Sequence, residues 1–244
     1  MYLDDVVLNN PEYTQIYFDD TDCENFIRDF FPGYLSDYQS LIPTAFKADL
    51  WRLLVIYKYG GIYSDIGHMF VQKVDKIISH SDQLVFCVDS VPESLHNAFF
   101  ASVAGSPVIK ALIDYTVNNI RNRNYGEDPL DITGPMAWGK CIRKLFRLPL
   151  NSAFAPGTRF LRDQYMNSYT IRFIKFFAYI WKDPRNCILN TDNEKVIVTK
   201  FPNYYNIMYT DRNVKHYGEL WKLRNVFNET HSTHSYVKLN SSHL

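Results

Sequence analysis

Phe46–Phe70, FKADLWRLLVIYKYGGIYSDIGHMF, is the stretch from which the fold of this 244-residue chain is read. Phe46, Trp51, Leu53, Leu54, Val55 and Ile56 predict a helix over Ala45–Tyr59 that is buried on most sides. Gly60-Gly61 stops it, because glycine tolerates the backbone conformations of a helix exit. The short apolar strand Ile62-Tyr63 then carries Asp65 to its carboxyl end, the place where open α/β sheets bind ligands. Lys47 and Lys58 reach solvent from the helix ends. Asp49 and Arg52 sit in the middle; three residues apart, they are neighbours on one face. Two readings are open: an ion pair on the helix's one exposed face, or a pair that shares a pocket with Asp65.

The flanking sequence extends the pattern. Tyr13–Phe18 alternates and reads as a strand, and Asp19–Asp22 starts a helix over Cys23–Phe31 that Pro32-Gly33 breaks. Leu84–Asp89 is a buried-type strand ending in a carboxylate, and Ala98–Ser102 is another, with Asn97 at its start. Pro107 opens a helix to Arg121. Asp131–Pro135 is a turn before a helix over Met136–Leu145. Residues 149–170 read as irregular and 171–182 as helical, either buried or lying at an interface. Cys187–Asn190 and Val196–Thr199 form a hairpin, Asn206–Tyr209 a last strand, and from Asn228 the chain is a polar, disordered tail. Strands interleaved with helices predict an α/β domain over residues 1–227, with a mainly parallel central sheet flanked by helices.

Composition narrows the function classes. Lys+Arg and Asp+Glu both number 26, so neither a polyanion groove nor an electrostatic membrane anchor is indicated, and nucleic acid is not expected as a partner. No apolar run approaches the ~18 residues of a membrane span, and Asp4-Asp5 stand where a signal peptide would be basic. The four cysteines, Cys23, Cys87, Cys141 and Cys187, are too dispersed for a zinc or redox motif; they read as free thiols in a reducing, cytoplasmic setting. Peripheral contact with a membrane is left open. Aromatic residues reach 16%, which suits either carbohydrate stacking or a tyrosine-rich core. Asn228-Glu229-Thr230 and Asn240-Ser241-Ser242 match the glycosylation acceptor pattern, a common triplet.

The run Ala45–Arg52 followed by Tyr57–Asp65 resembles the DXD-region signature of the GT-A glycosyltransferases, above all glycosyltransferase family 32. That family holds yeast-type initiating α-1,6-mannosyltransferases, inositol-phosphoceramide mannosyltransferases and capsular-polysaccharide sugar transferases. The glucosylating clostridial toxins share the helix–Gly-Gly–strand pattern. Asn10–Tyr13, Asp19–Cys23, Asn97–Phe99, Gly105–Pro107, Asp131–Pro135 and His216–Trp221 have counterparts in the same order, so the likeness covers about residues 10–225.

The resemblance implies a GT-A, Rossmann-like nucleotide-sugar fold and a retaining hexosyltransferase. Its donor would be GDP-mannose or a UDP-hexose, and its acceptor a glycan or glycolipid. It implies that Asp49 and Arg52 hold donor hydroxyls. Asp65 would be the first DXD carboxylate, on the ribose or on Mn²⁺ or Mg²⁺. Tyr63, Asn97 and Trp221 would line the nucleotide side, and Asp131 and Gly134 the acceptor side, unless Asp131 only forms its turn. His216 would be a late-sequence metal ligand or phosphate contact, with His68 a further candidate ligand or a surface residue. Two departures stand out. Gly67 occupies the place of the second DXD carboxylate, and the chain starts at Met1 without the family's usual first strand. Both favour the second reading, a catalytically silent nucleotide- or sugar-binding homologue.

Overall fold

The computed structural model describes residues 10–91, 93–177, 186–199 and 214–228. The predicted strand over Asn206–Tyr209, residues 178–182 of the predicted helix, and the tail beyond Asn228 lie outside them. Helices are α1 (Asp20–Phe30), α2 (Leu35–Ser40), α3 (Thr44–Tyr59), α4 (Pro107–Arg121), α5 (Pro135–Leu145) and α6 (Tyr217–Lys222). Strands are β1 (Gly61–Ser64), β2 (Met69–Phe70), β3 (Leu84–Val88), β4 (Leu95–Ser102), β5 (Gly157–Arg162), β6 (Ser168–Phe177), β7 (Cys187–Leu189) and β8 (Lys195–Val198). The sheet order is β1-β4-β3-β6-β7-β8-β2, with β5 paired to β6. No helix among the described residues is long and apolar enough to cross a membrane.

This mixed α/β sheet corrects the expectation of a mainly parallel one. Among the described residues only β3 and β6 run parallel; every other pairing is antiparallel. The reason is connection length. A parallel pair needs a crossover of a dozen or more residues. β3 reaches β4 through the short link that contains Asp89–Ser94, closed by Ser94 N–H donating to Val91 O and Asp89 N–H to Ser94 O. The long excursion through α4 and α5 sits between β4 and the β5–β6 hairpin, and it is what lets β6 lie parallel to β3.

Alternation along the central strands builds two apolar layers. Leu84, Phe86 and Val88 of β3 join the helix-side core, which contains Leu50, Leu53, Leu54, Leu112 and Trp138. Val85 and Cys87 join a smaller cluster with Phe70, Val74, Ile77, Phe99 and Ile174 on the other face. Trp138 of α5 sits against Phe86 and Phe100 at 6.0 and 4.9 Å between ring centroids. All four cysteines are free, and three of them are buried.

Three further expectations change. Tyr13–Phe18 forms no strand; Ile16 and Tyr17 face solvent while Tyr13 Oη donates to Asp75 Oδ1 at 3.1 Å. The described part of the predicted helix 171–182 is strand β6, with Ile171 and Phe173 facing one core cluster and Ile174 and Phe176 the other. A continuous apolar run is equally legible as buried helix or buried strand. Residues 149–170, read as irregular, contain β5 and the start of β6.

Candidate functional site

The site is built at the corner where α3 hands the chain to β1. Gly60 caps α3 at φ 68°, and its N–H donates to Ile56 O. A Cβ on Gly60 would lie 2.7 Å from the Ala104 backbone nitrogen, so no larger residue fits without moving the chain. This tight exit aims β1 along β4, with Tyr63 opposite Phe100 and Ser64 opposite Phe99. Asp65 N–H donates to Ala98 O, which extends that ladder by one residue before the chain turns and His68 N–H closes on Asp65 O.

Asp49 and Arg52 are both buried in this corner, and they meet Asp65 there. The pocket reading of the helix pair therefore holds over the exposed-face reading. Arg52 Nη2 lies 3.3 Å from Asp49 Oδ1, and Nη1 lies 3.5 Å from Asp65 Oδ1. Nη1 also donates to Asn97 O at 2.7 Å, and the guanidinium carbon sits 4.6 Å from the centroid of the Tyr63 ring. Tyr63 Oη donates to Asp65 Oδ1 at 2.8 Å. Asp49 spends both oxygens: Oδ1 accepts from Asn97 Nδ2 at 2.8 Å, and Oδ2 from Thr133 Oγ1 at 2.7 Å. Gly134 follows; an added Cβ there would stand 3.7 Å from Asp49 Oδ2. The end of β1 and Asn97 of β4 thus meet the guanidinium carried by α3, and Thr133 joins the same corner through Asp49.

The electrostatics separate the two aspartates. Burial pushes the Asp49 carboxyl above its ordinary value, against the opposing pull of Arg52 and the Thr133 and Asn97 hydrogen bonds. Asp65 is about a third exposed, and its Oδ1 meets both Tyr63 and Arg52. Burial also raises the Tyr63 phenol well above its ordinary range, which keeps it a hydrogen-bond donor to Asp65.

Other expected site residues are placed elsewhere or otherwise engaged. His68 is buried rather than at the surface, and its Nδ1 faces Ser64 Oγ at 2.9 Å. Its ring stacks 6.4 Å from His96, which lies parallel to Phe176. Burial drives its pKa down to about 4, so it is a neutral residue at pH 7. His216 caps α6, accepting from Gly218 N–H through Nδ1 at 3.1 Å. Trp221 donates from Nε1 to Tyr125 O at 2.8 Å, with Arg224 over its ring. Asp131 is buried and accepts from Lys140 Nζ, Glu127 N–H and Asp128 N–H, all within its own loop and the following helix. Among the described residues no group of three His, Cys, Asp or Glu is placed to hold a metal ion.

Thr133 is the residue that pattern reading passed over. Its turn is legible in the sequence, but the resemblance points within it to Asp131 and Gly134. The available signal was a hydroxyl one position ahead of the Gly134-Pro135 helix start, in a turn whose neighbours Ile132 and Trp138 are apolar. A cleft of about 240 Å³ lies at the first turn of α3, lined by residues including Ile42, Thr44, Lys215 and Tyr217. None of Asp49, Arg52 or Asp65 lines it. The charged corner, not this cleft, has the converging polar groups that mark a functional site.

Comparison with known proteins follows the same corner. The inositol phosphoceramide mannosyltransferase 2 of Schizosaccharomyces pombe is 27% identical over 211 residues, 82% of this chain and 59% of that protein. The initiation-specific alpha-1,6-mannosyltransferase of Candida albicans is 29% identical over 79 residues, 31% of this chain and 20% of its own length. The mannosyl phosphorylinositol ceramide synthase of Saccharomyces cerevisiae is 28% identical over 113 residues, 45% of this chain and 29% of that one. This chain therefore spans well under two thirds of the curated relatives it matches. Among solved structures, the PaToxG glycosyltransferase superposes with a TM-score of 0.41 at 20% identity, covering 57% of this chain and 59% of that one. Residues 2–84, which contain Asp49, Arg52 and Asp65, match the glycosyltransferase sugar-binding region containing the DXD motif, and the chain is similar to these yeast mannosyltransferases over the shares given.

Proposed function

We propose that this chain is a GT-A-type glycosyltransferase, its unit spanning residues 1–227, that moves a hexose from a nucleotide sugar to a glycan or lipid-linked acceptor with retention. Mannose, as GDP-mannose, is the first donor to test, because the relatives are mannosyltransferases; UDP-glucose and UDP-galactose follow. The observation that carries the reading is the junction of Asp49, Arg52 and Asp65 at the end of β1, inside the matched sugar-binding region.

The corner's chemistry suits that work. Asp65 presents a partly exposed carboxylate to accept from a donor hydroxyl, and Tyr63 and Arg52 hold it in one orientation. Arg52 supplies fixed positive charge where a diphosphate leaves. Preorganised charge of this kind costs no rearrangement at the moment of reaction. Asp49, with both oxygens engaged by the protein, positions Arg52. Trp221, His216 and Gly134 are assigned to the nucleotide, phosphate and acceptor sides on resemblance, while Asp131, held within its own loop, is left as the turn former.

DXD-containing families generally use a divalent cation, which takes six or more oxygen ligands in the case of Ca²⁺ and near-octahedral oxygen in the case of Mg²⁺. The described residues do not fit one as a side-chain cage. Asp65 shares Oδ1 with Tyr63 and Arg52, Gly67 has no side chain, and His68 is turned to Ser64. No step is assigned to a metal here. Gly67 is also what favours the second reading, a silent donor-binding homologue.

Donor hydrolysis and transfer to simple glycosides, measured for the three donors with and without Mn²⁺, separate the readings. Turnover of any donor supports the transferase. Nucleotide binding by calorimetry with no turnover under any condition establishes the silent homologue. Gly67→Asp should raise the response to Mn²⁺ if residue 67 is the lost ligand position; an unchanged response rejects that alignment.

A further inference from the structure

The β5–β6 hairpin projects three large apolar side chains into solvent: Phe160 is 82% exposed, Tyr165 75% and Met166 67%. Single exposed hydrophobic residues are ordinary; several on one stiff element are not. This hairpin tip is stiff. Asp163 Oδ1 accepts from Tyr165 N–H and Asn167 N–H, and Oδ2 accepts from Asn167 Nδ2 and Tyr169 Oη. Asp163 N–H and Met166 N–H close the turn through the backbone. Met166 is held at φ 68°, a left-handed conformation that a non-glycine residue adopts at a cost. Anchoring by buried Asp163 and partly buried Leu161 below the exposed tip shows that the exposure is built in.

The charges around the tip are of one usable sign. Arg159 and Arg162 are exposed, and neither makes an ion pair among the described residues. Asp163 is turned inward on its own loop. Register places Phe160 opposite Thr170 and Arg162 opposite Ser168, so Phe160, Arg162 and two hydroxyl residues share one face of the ribbon. Leu161 and Tyr169 on the reverse face pack on the core. Phe160 lies between the two arginines along β5, Tyr165 and Met166 lie beyond them at the turn, and by register Arg159 emerges on the reverse face from Arg162, so exposed apolar side chains are flanked by a guanidinium on either side of the ribbon, as in an interfacial anchor. The rings enter the headgroup region, and the guanidinium groups stay with anionic phosphates.

We propose that the β5–β6 hairpin tip docks this protein on an anionic lipid surface, with Phe160, Tyr165 and Met166 entering the interface and Arg159 and Arg162 contacting lipid phosphates. The docking uses no residue of the Asp49–Arg52–Asp65 corner, so it stands or falls separately from the proposed transfer activity.

The test is co-sedimentation of the full chain with vesicles of phosphatidylcholine alone and of phosphatidylcholine containing phosphatidylserine, at low and high salt. The wild type should bind the anionic vesicles and lose binding as salt rises. Arg159→Gln with Arg162→Gln should weaken binding roughly fivefold per arginine and flatten the salt dependence. Phe160→Ser with Tyr165→Ser and Met166→Ser should weaken it on the order of tenfold or more at every salt concentration. All these side chains are exposed, so unchanged thermal melting is expected for both variants; if the triple variant fails to fold, the arginine pair decides alone. No binding by the wild type, or equal binding by wild type and arginine variant, overturns the proposal. So does a wild-type dimer in analytical ultracentrifugation that the triple variant dissolves, which assigns the face to a second copy.

Discussion

Asp49 and Asp131 are both aspartates buried on the helix side of the sheet, yet they serve different ends. Asp131 is held by neighbours in sequence: Glu127 and Asp128 backbone amides, with Lys140 one helix turn into α5. A Cβ on Gly126 would overlap Asp131 itself, so loop and carboxylate are fitted to each other. Asp49 is held by Asn97 and Thr133, from a different strand and a different turn, and it shares Arg52 with the exposed Asp65. A buried acid that closes its own loop is a staple. One whose partners come from distant segments and whose counter-ion reaches an open carboxylate is part of a site.

That contrast can be broken or sharpened by substitution. The largest effect is expected at Asp65. Asp65→Asn should lower transfer roughly 10²–10³-fold. Being partly exposed, it should leave stability within about 0.5 kcal/mol, as read by urea unfolding. Near wild-type turnover would remove Asp65 from the site. Next is Arg52→Met, which leaves Asp49 buried without its counter-charge. A stability loss of about 3–5 kcal/mol is expected, together with loss of transfer; a variant as stable as wild type would show that the pair is not a structural unit.

Asp131→Asn should instead cost roughly 2 kcal/mol of stability while keeping transfer within a few-fold of wild type. A hundredfold loss of transfer with intact folding would move Asp131 to the acceptor side and erase the contrast drawn here. Thr133→Val should cost about 1–2 kcal/mol and Thr133→Ser should restore most of it. Losing that donor also lets the Asp49 carboxyl rise further, so the acid limb of the pH–activity profile should move upward in Thr133→Val. A profile that does not move would limit Thr133 to packing.

The smallest effect concerns His68. Its pKa in the folded protein is pushed down to about 4 from 6.5, so the unfolded chain binds the proton more tightly. The stabilising contribution is present above pH 6.5 and is lost as pH falls through that window towards 4. Wild type should therefore lose urea resistance between neutral and mildly acid pH, and His68→Gln should lose less. Equal slopes for the two proteins would show that His68 does not control the acid limit.

The corner was legible from sequence because its signals are local. A mostly apolar helix with two charges in its middle, a Gly-Gly stop and a carboxylate at the end of a short strand all lie within Phe46–Phe70. The pairing of Asp49 with Thr133 was not, because no periodicity connects a helix to a turn 84 residues further on. The sheet's direction was misread for a related reason. Alternating strands and helices suggested crossovers, but the β3–β4 link is too short for one. β6 hid behind a continuous run of Ile, Phe and Lys, whose burial on both faces follows from its central place in the sheet and not from its own pattern.

The one parallel pairing among the described residues has a kinetic meaning. β3 can zip to β4 as soon as both are made, since only a short link separates them. Residues 85–88 can meet residues 172–175 only after α4, α5 and the edge hairpin have been synthesised and drawn back across the sheet. Loop-closure entropy is paid before those contacts return anything. The middle of the sheet therefore closes well after the β3–β4 hairpin, and until it does, the free edge of β3 is open to the wrong strand. Residues that steady the excursion, Trp138 between Phe86 and Phe100 foremost among them, act as guides for the closing chain as well as ballast for the finished core.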